Sequence, residues 1–321
     1  MKIQRRYRIV FAGTPEFALP SLEALIASEH RICAVYSQRD KRRGRGQAST
    51  PSVVKALALA NNIAVETPDD FKSPLAIAKL ASYKPDIIVV VAYGMLLPQA
   101  VIDIAKIACL NVHASLLPRW RGAAPINSAI LAGDQISGVS IMQLVLKLDA
   151  GPVWLQKSCN ILASDTAIDL HNKLSNLGAT ALLDVLNSSM VEQFNPTVQD
   201  EKLVTYAGKM TKQDALLCFT KSAAELVRHV RAMQPWPGSC FYLANNNIKV
   251  YEAEEVTCPQ EFPAGYIISW GRGGLVVATK CNNIRILSLQ LPGKRIMSAA
   301  DAWLGNKDLF QVGHLLIRGK T

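Results

Sequence analysis

The stretch PDIIVVVAY at residues 85–93 constrains the fold of this chain more than any other part of it. A nearly unbroken β-branched run, entered through a proline and left at a glycine, reads as a strand buried on both faces. Strands of that kind belong to parallel sheets whose two faces are covered by helices.

The neighbouring sequence supplies the partners. Residues 8–13 and 31–37 read as further buried strands. Residues 16–28 read as a helix with Leu19, Leu22, Leu25 and Ile26 on its apolar face. Helical patterns follow at 51–61, 74–82, 98–106 and 125–132, strands at 109–113 and 139–146, and a long closing helix at 166–186. Strands alternating with helices predict an α/β domain over residues 1–188, built on a doubly wound, Rossmann-like, mostly parallel sheet. Residues 189–208 turn polar and irregular, with Asn195-Pro196, and read as a linker. After that the pattern changes. One helix at 222–233 precedes short β-rich segments broken by Pro-Trp-Pro-Gly, Asn-Asn-Asn, Gly-Arg-Gly-Gly and Pro-Gly-Lys. Residues 209–321 therefore predict a second domain, a small antiparallel β-barrel of OB-like type. A length of 321 residues suits two domains.

Composition removes several classes. Half the residues are apolar and 19% are charged, as in soluble proteins with real cores. The longest apolar run, 87–93, falls far short of the ~20 residues that cross a membrane. At the N-terminus, basic residues precede apolar ones, but Pro15, Glu16 and Pro20 break the apolar part early. A cleaved signal is not expected, and the location expected is the cytoplasm. The 7 cysteines are odd in number and none fall as C-x-x-C, which reads as reduced thiols with no metal cluster. The net charge of +10 sits at the two ends: residues 1–60 hold 11 basic and 4 acidic residues, residues 209–321 hold 14 and 8, and the middle is mildly acidic. Such a field favours a polyanion such as nucleic acid.

The chemistry concentrates in LNVHASLLPRWRGAAP, residues 110–125. Residues two apart on a strand point the same way, so Asn111 and His113 project together from the strand's C-terminal end. Ligand sites in open parallel sheets lie just beyond those ends. An amide and an imidazole aimed into one cleft can donate to a developing oxyanion; they can equally be a satisfied polar pair. Asp149 follows the next strand in Leu-Asp-Ala-Gly-Pro and reads either as a turn residue or as a carboxylate within reach of that histidine. A carboxylate so placed favours the protonated, donating form of an imidazole.

Asn111-x-His113, the segment Ser115, Leu116, Leu117 and Pro118, and Asp149-x-Gly151 resemble the shared signature of the folate-dependent formyltransferases. The longer SLLPRWRGAAPI, the early Phe-Ala-Gly-Thr-Pro at 11–15, Val-Thr-Tyr-Ala at 204–207, Pro-Trp-Pro at 235–237 and the late Pro-Gly-Lys at 292–294 are similar to the methionyl-tRNA formyltransferase family, over essentially the whole chain. The resemblance implies transfer of a formyl group from 10-formyltetrahydrofolate, as co-substrate, to the amino group of initiator methionyl-tRNA, without a metal. It gives Asn111, His113 and Asp149 the catalytic roles. It gives folate binding to Ser115, Leu116, Leu117 and Pro118 and to the backbone around Val91, Tyr93 and Gly94.

The run RDKRRGRGQ at 39–47 reads by itself as a solvated loop. By the same resemblance it contacts the tRNA acceptor arm through Arg42, Arg43 and Arg45; the net +6 and barrel-like pattern of residues 209–321 add Lys209, Lys212, Arg228 and Arg231 as further candidate phosphate contacts. The commoner family pattern has a proline before Gly-Arg-Gly and lysines after it, and this chain has neither. A monomer is the implied state. Three other classes fit the sequence less well. An NAD-dependent oxidoreductase lacks support, because the first strand ends in Gly-Thr-Pro rather than G-x-G-x-x-G. An RNA-binding protein without catalysis leaves Asn111, His113 and Asp149 unexplained. A formyltransferase or formyl-folate hydrolase for a small molecule has no need of the arginine loop or the basic barrel.

Overall fold

The structure, a computed structural model, describes residues 6–43, 48–188, 195–243, 246–257 and 262–316. The chain divides into two compact units. The first comprises Met1–Pro125, Ile136–Asn160 and His171–Ala207; the second comprises Ile126–Gln135, Ile161–Leu170 and Gly208–Thr321.

In chain order the elements of the α/β half are β1 (Arg8–Gly13), α1 (Leu19–Ile26), β2 (Arg31–Tyr36), β3 (Lys41–Arg43), β4 (Ala48–Thr50), α2 (Val53–Ala60), β5 (Val65–Glu66), α3 (Pro74–Ser82), β6 (Ile87–Val91), α4 (Gln99–Ile102), β7 (Ala108–His113), β8 (Arg121–Gly122), α5 (Pro125–Ala132), β9 (Ile136–Gln143), β10 (Val153–Asn160), α6 (Ala167–Asn187) and β11 (Tyr206–Ala207). Seven strands form one sheet in the order β10-β9-β7-β6-β1-β2-β5. The five from β7 to β5 run parallel. β9 and β10 run antiparallel at one margin. All five residues of β6 are buried, as its β-branched run demands.

On one face of this sheet, Val10, Ala12, Ala34, Tyr36, Ile88, Val90 and Cys109 form a core with Leu80 of α3 and Val101 of α4. α6 covers the opposite face: a Cβ built on Gly178 would lie 2.8 Å from Val112 Cγ1, and Ser175 donates to the Phe17 carbonyl. The strand order reverses between β1 and β6, and the loops beyond their C-terminal ends frame the crevice that such sheets use for ligands. The basic run enters the short hairpin β3–β4; Arg45 lies outside the described residues.

The segment read as a linker belongs, from Asn195 onward, to the first unit. Thr197 pairs with Val153 and β11 runs parallel to β8. A Cβ on Gly122 would sit 2.4 Å from the Ala207 carbonyl oxygen, so only glycine allows that pairing. The helix expected at 98–106 is shorter, ending at Ile102. β10 is a strand the sequence pattern did not announce.

The second unit holds α7 (Ala223–Ala232), β12 (Ser239–Leu243), β13 (Asn246–Val256), β14 (Ile267–Gly271), β15 (Gly274–Ala278), β16 (Asn283–Gln290), β17 (Met297–Ser298) and α8 (Ala299–Gly305). Its strands pair antiparallel in the order β12-β13-β16-β15-β14, with β17 on β16. Phe241, Ile248, Ile267, Val277, Ile286 and Phe310 share one core with Leu226 and Val230 of α7 and Ala302 of α8. Both sheet margins are occupied: Leu217 donates to the Cys240 carbonyl beside β12, and the chain at 313–316 bonds back to Gly265 and Ile267 beside β14. A capping box at Ser222 and Glu225 starts α7.

Candidate active site

β7 delivers Asn111 and His113 as its alternation requires. Val112 faces α6, so its two neighbours face the other way. Asn111 is partly exposed, and its amide makes no side-chain hydrogen bond among the described residues, which leaves its N–H donors for a ligand. His113 is 6% exposed. Its Nε2–H donates to the Trp120 carbonyl at 3.0 Å. That bond fixes the ring and turns Nδ1 towards Asp149, whose Oδ2 lies 3.8 Å away.

The loops that meet at His113 are held in costly backbone conformations. Trp120 has φ 63° and Asp149 φ 47°, the left-handed region that side chains rarely adopt. Asp149 is locked there from three directions. The Gly122 N–H donates to its Oδ2 at 2.8 Å, and Gln199 Nε2 donates to its carbonyl at 2.9 Å and to that of Gly151 at 2.7 Å. Gly151 leaves no room for a side chain, because a Cβ there would lie 1.8 Å from the Gln143 carbonyl oxygen. The fold thus sets His113 beside Asp149, with Asn111 two residues earlier at the same strand end.

The other candidate residues occupy mixed positions. Ser115 is buried; its hydroxyl donates to the Arg119 carbonyl, and its carbonyl accepts from Ser140. Leu117 is buried and tied to Ser140 and Gln156 through its backbone. Leu116 and Pro118 remain half-buried on this loop. Val91 and Tyr93 put their side chains into the core, so only their backbone can meet a ligand; burial holds the Tyr93 hydroxyl well above its usual titration range. The carbonyls of Tyr93 and Gly94 are engaged by Thr14 and Gln38, while Leu96 stands 89% exposed. In the second unit Lys209 and Lys212 are exposed. Arg231 donates to the Asp165 carbonyl at 2.7 Å and Arg228 to that of Leu131, so both arginines tie α7 to the chain excursions at 126–135 and 161–170. No group of three or more acidic, histidine or cysteine residues with metal-binding geometry occurs among the described residues.

Sequence reasoning missed Gln199, buried in what read as a linker, and Arg121, whose side chain is fully buried. Only the position of Arg121 inside the SLLPRWRG motif pointed towards it.

Fixed donors at a strand end, opposite a carboxylate and with no side-chain nucleophile among them, suit acyl transfer to a nucleophile that the substrate brings. The chain matches the formyl transferase family over residues 7–186 and the C-terminal domain of formyl transferase over 209–307. It belongs to that family. Within it, the methionyl-tRNA formyltransferase of Methylococcus capsulatus is 46% identical over 294 residues, covering 92% of this chain and 95% of the relative. That of Legionella pneumophila strain Philadelphia 1 is 43% identical over 298 residues, covering 93% and 95%. The crystal structure of HypX from Aquifex aeolicus in complex with tetrahydrofolic acid shares the fold, with a TM-score of 0.60 at 16% identity over 98% of this chain and 51% of that one.

Proposed function

We propose that this protein transfers the formyl group of 10-formyltetrahydrofolate to the free amino group of initiator methionyl-tRNA. The observation that carries the reading is likeness at 46% and 43% identity, over more than nine-tenths of both chains, to proteins named methionyl-tRNA formyltransferase. The product, N-formylmethionyl-tRNA, would serve translation initiation in the cytosol. No described helix is long and apolar enough to cross a membrane. We take the working unit to be a monomer.

The site geometry gives the reading a mechanism. An α-amino group has a pKa near 7.7–8.0, so a useful neutral fraction exists at cytosolic pH and no enzyme nucleophile is needed. The amine nitrogen attacks the formyl carbon, a C–N bond forms, and negative charge gathers on the formyl oxygen. The Asn111 amide donates to that oxygen, and the His113 ring, held between the Trp120 carbonyl and the Asp149 carboxylate, adds an electrostatic contribution beside it. The bond from the formyl carbon to the folate nitrogen then breaks. The proton lost by the amine goes to the departing nitrogen through the His113–Asp149 pair, releasing tetrahydrofolate. Folate binding is assigned to the loops after β1, β6 and β7, at the place where the strand order reverses. The exposed Lys209 and Lys212, with Arg42, Arg43 and Arg45, are assigned to the RNA backbone.

The test is a formyl-transfer assay with 10-formyltetrahydrofolate and charged initiator tRNA. Wild type should form formylmethionyl-tRNA, and Asp149→Ala should nearly fail to. Turnover of folate with the tRNA untouched would move the assignment to a small amine or to water.

A further inference from the structure

Among the described residues the largest fully buried side chain is Arg121, bonded to the strap that faces the Asp149 loop. Arg121 is 0% exposed, and a guanidinium has no place in a protein interior unless bonded. Its Nε donates to Gln199 Oε1 at 3.0 Å, and an Nη donates to Glu201 at 3.0 Å. The Arg121 bond settles which way the Gln199 amide points. With its oxygen on Arg121, its nitrogen faces the carbonyls of Asp149 and Gly151. Glu201 in turn accepts from Lys147 at 2.8 Å. Two alternate residues of one strap, 199 and 201, thus hold three alternate residues of the facing loop, 147, 149 and 151.

The strap reaches the second catalytic loop as well. Thr205 Oγ1 accepts from the Trp120 N–H at 2.9 Å, and the Thr205 carbonyl accepts from the Arg121 N–H at 2.9 Å. Trp120 is the residue whose carbonyl holds His113. Both left-handed residues beside the imidazole are therefore gripped by the same stretch, 197–207.

We propose that Gln199, oriented by Arg121, is the positioning residue that sets the Asp149 carboxylate opposite His113, so that segment 197–207 is part of the catalytic apparatus. This rests on the catalytic reading of Asp149 given above. Gln199 touches no reacting atom; it acts by holding the backbone on both sides of Asp149 in a conformation the chain would otherwise leave.

The experiment compares Gln199→Ala, Gln199→Glu, Asp149→Ala and the double variant Asp149→Ala/Gln199→Ala, on the full chain, with 10-formyltetrahydrofolate and methionyl-tRNA. Gln199→Glu keeps an acceptor for Arg121 and the side-chain volume but cannot donate to the two carbonyls, so it covers the case in which the alanine variant does not fold. Expected is a fall in kcat of roughly 10–100-fold in both Gln199 variants, with KM for each substrate within about 3-fold of wild type. In the Asp149→Ala background, removing Gln199 should leave the residual rate unchanged, because the group it positions is gone. Wild-type kcat in folded Gln199→Glu overturns the proposal. So does an undiminished effect of Gln199→Ala in the Asp149→Ala background, which marks a structural role. Full turnover by Asp149→Ala would sink the catalytic reading itself; loss with Asp149 but not with Gln199 sinks only the positioning role.

Discussion

The Nε2–H of His113 and the carbonyl oxygen of Trp120 lie 3.0 Å apart, and this single bond decides what the other ring nitrogen can do. A carbonyl only accepts, so Nε2 must carry a proton. Nδ1 is left facing Asp149 Oδ2, and when it too is protonated the ring is a cation held beside a carboxylate. In that state both ring nitrogens are engaged, and the ring is held at the same strand end as Asn111, two residues earlier.

His113→Ala and Asn111→Ala should each lower kcat by about 10²–10³ with the fold retained, the usual consequence of losing one group that stabilises a developing oxyanion. Single-turnover formyl transfer, with circular dichroism as the control for folding, measures this. Near-wild-type rates in either variant would remove that side chain from the oxyanion site.

Gly151→Ala should damage both stability and turnover. Its Cβ would sit 1.8 Å from the Gln143 carbonyl oxygen, so the turn after Asp149 must shift. Overpacking of this kind costs about 1–3 kcal/mol. Thermal melts should show a lowered midpoint, and kcat should fall further than the loss of folded protein explains, because the turn also places Asp149. A variant matching wild type in both would show that this loop has slack.

His30 gives the first unit a pH dependence of known sign. Burial pushes its pKa below the ordinary 6.5, against smaller opposing contributions from Asn187 and Glu29. As pH falls through 6.5 the unfolded chain takes up a proton that the folded chain still refuses. The stabilising contribution is present above 6.5 and is lost as pH falls through the folded pKa, with a slope of at most about 1.4 kcal/mol per pH unit. Denaturant melts between pH 7.5 and pH 5 should show stability falling, and His30→Gln should flatten that trend. An unchanged slope in His30→Gln would assign the effect to another group.

Neutralising Arg42, Arg43 and Arg45 together should weaken binding of methionyl-tRNA and leave folate binding intact. Removing three cations from the phosphate backbone should also flatten the plot of log affinity against log salt by roughly 2–3. Identical tRNA titrations for the triple variant and wild type would take the basic run out of the RNA interface.

The parts of this molecule legible in its sequence are those where one local pattern suffices. Five β-branched residues in β6 announce a strand covered on both faces, and the alternation of Asn111 and His113 places both at the same strand end. β10 escaped because it lies at the sheet margin: its half-exposed alternation with Lys157 and Ser158 lacks the apolar run that marks the interior strands. Arg121 and Gln199 escaped for a different reason. A polar side chain looks solvated until its partner, 78 residues away in sequence, is brought beside it.

The strap also sets a timetable for the protein's own synthesis. Every strand of the first unit's main sheet has been made once the chain reaches Asn160, and Asp149 is made earlier still. The groups that hold Asp149 and Trp120 in place arrive only with Gln199 and Thr205. At about 5–20 residues per second, the nascent chain spends roughly 3–12 s between Asp149 and the end of the strap. During that interval the two strained loops have each other's bonds but lack those that the strap supplies. The bonds that residues 199 and 205 give these two loops thus come to each new molecule as a late, separate event.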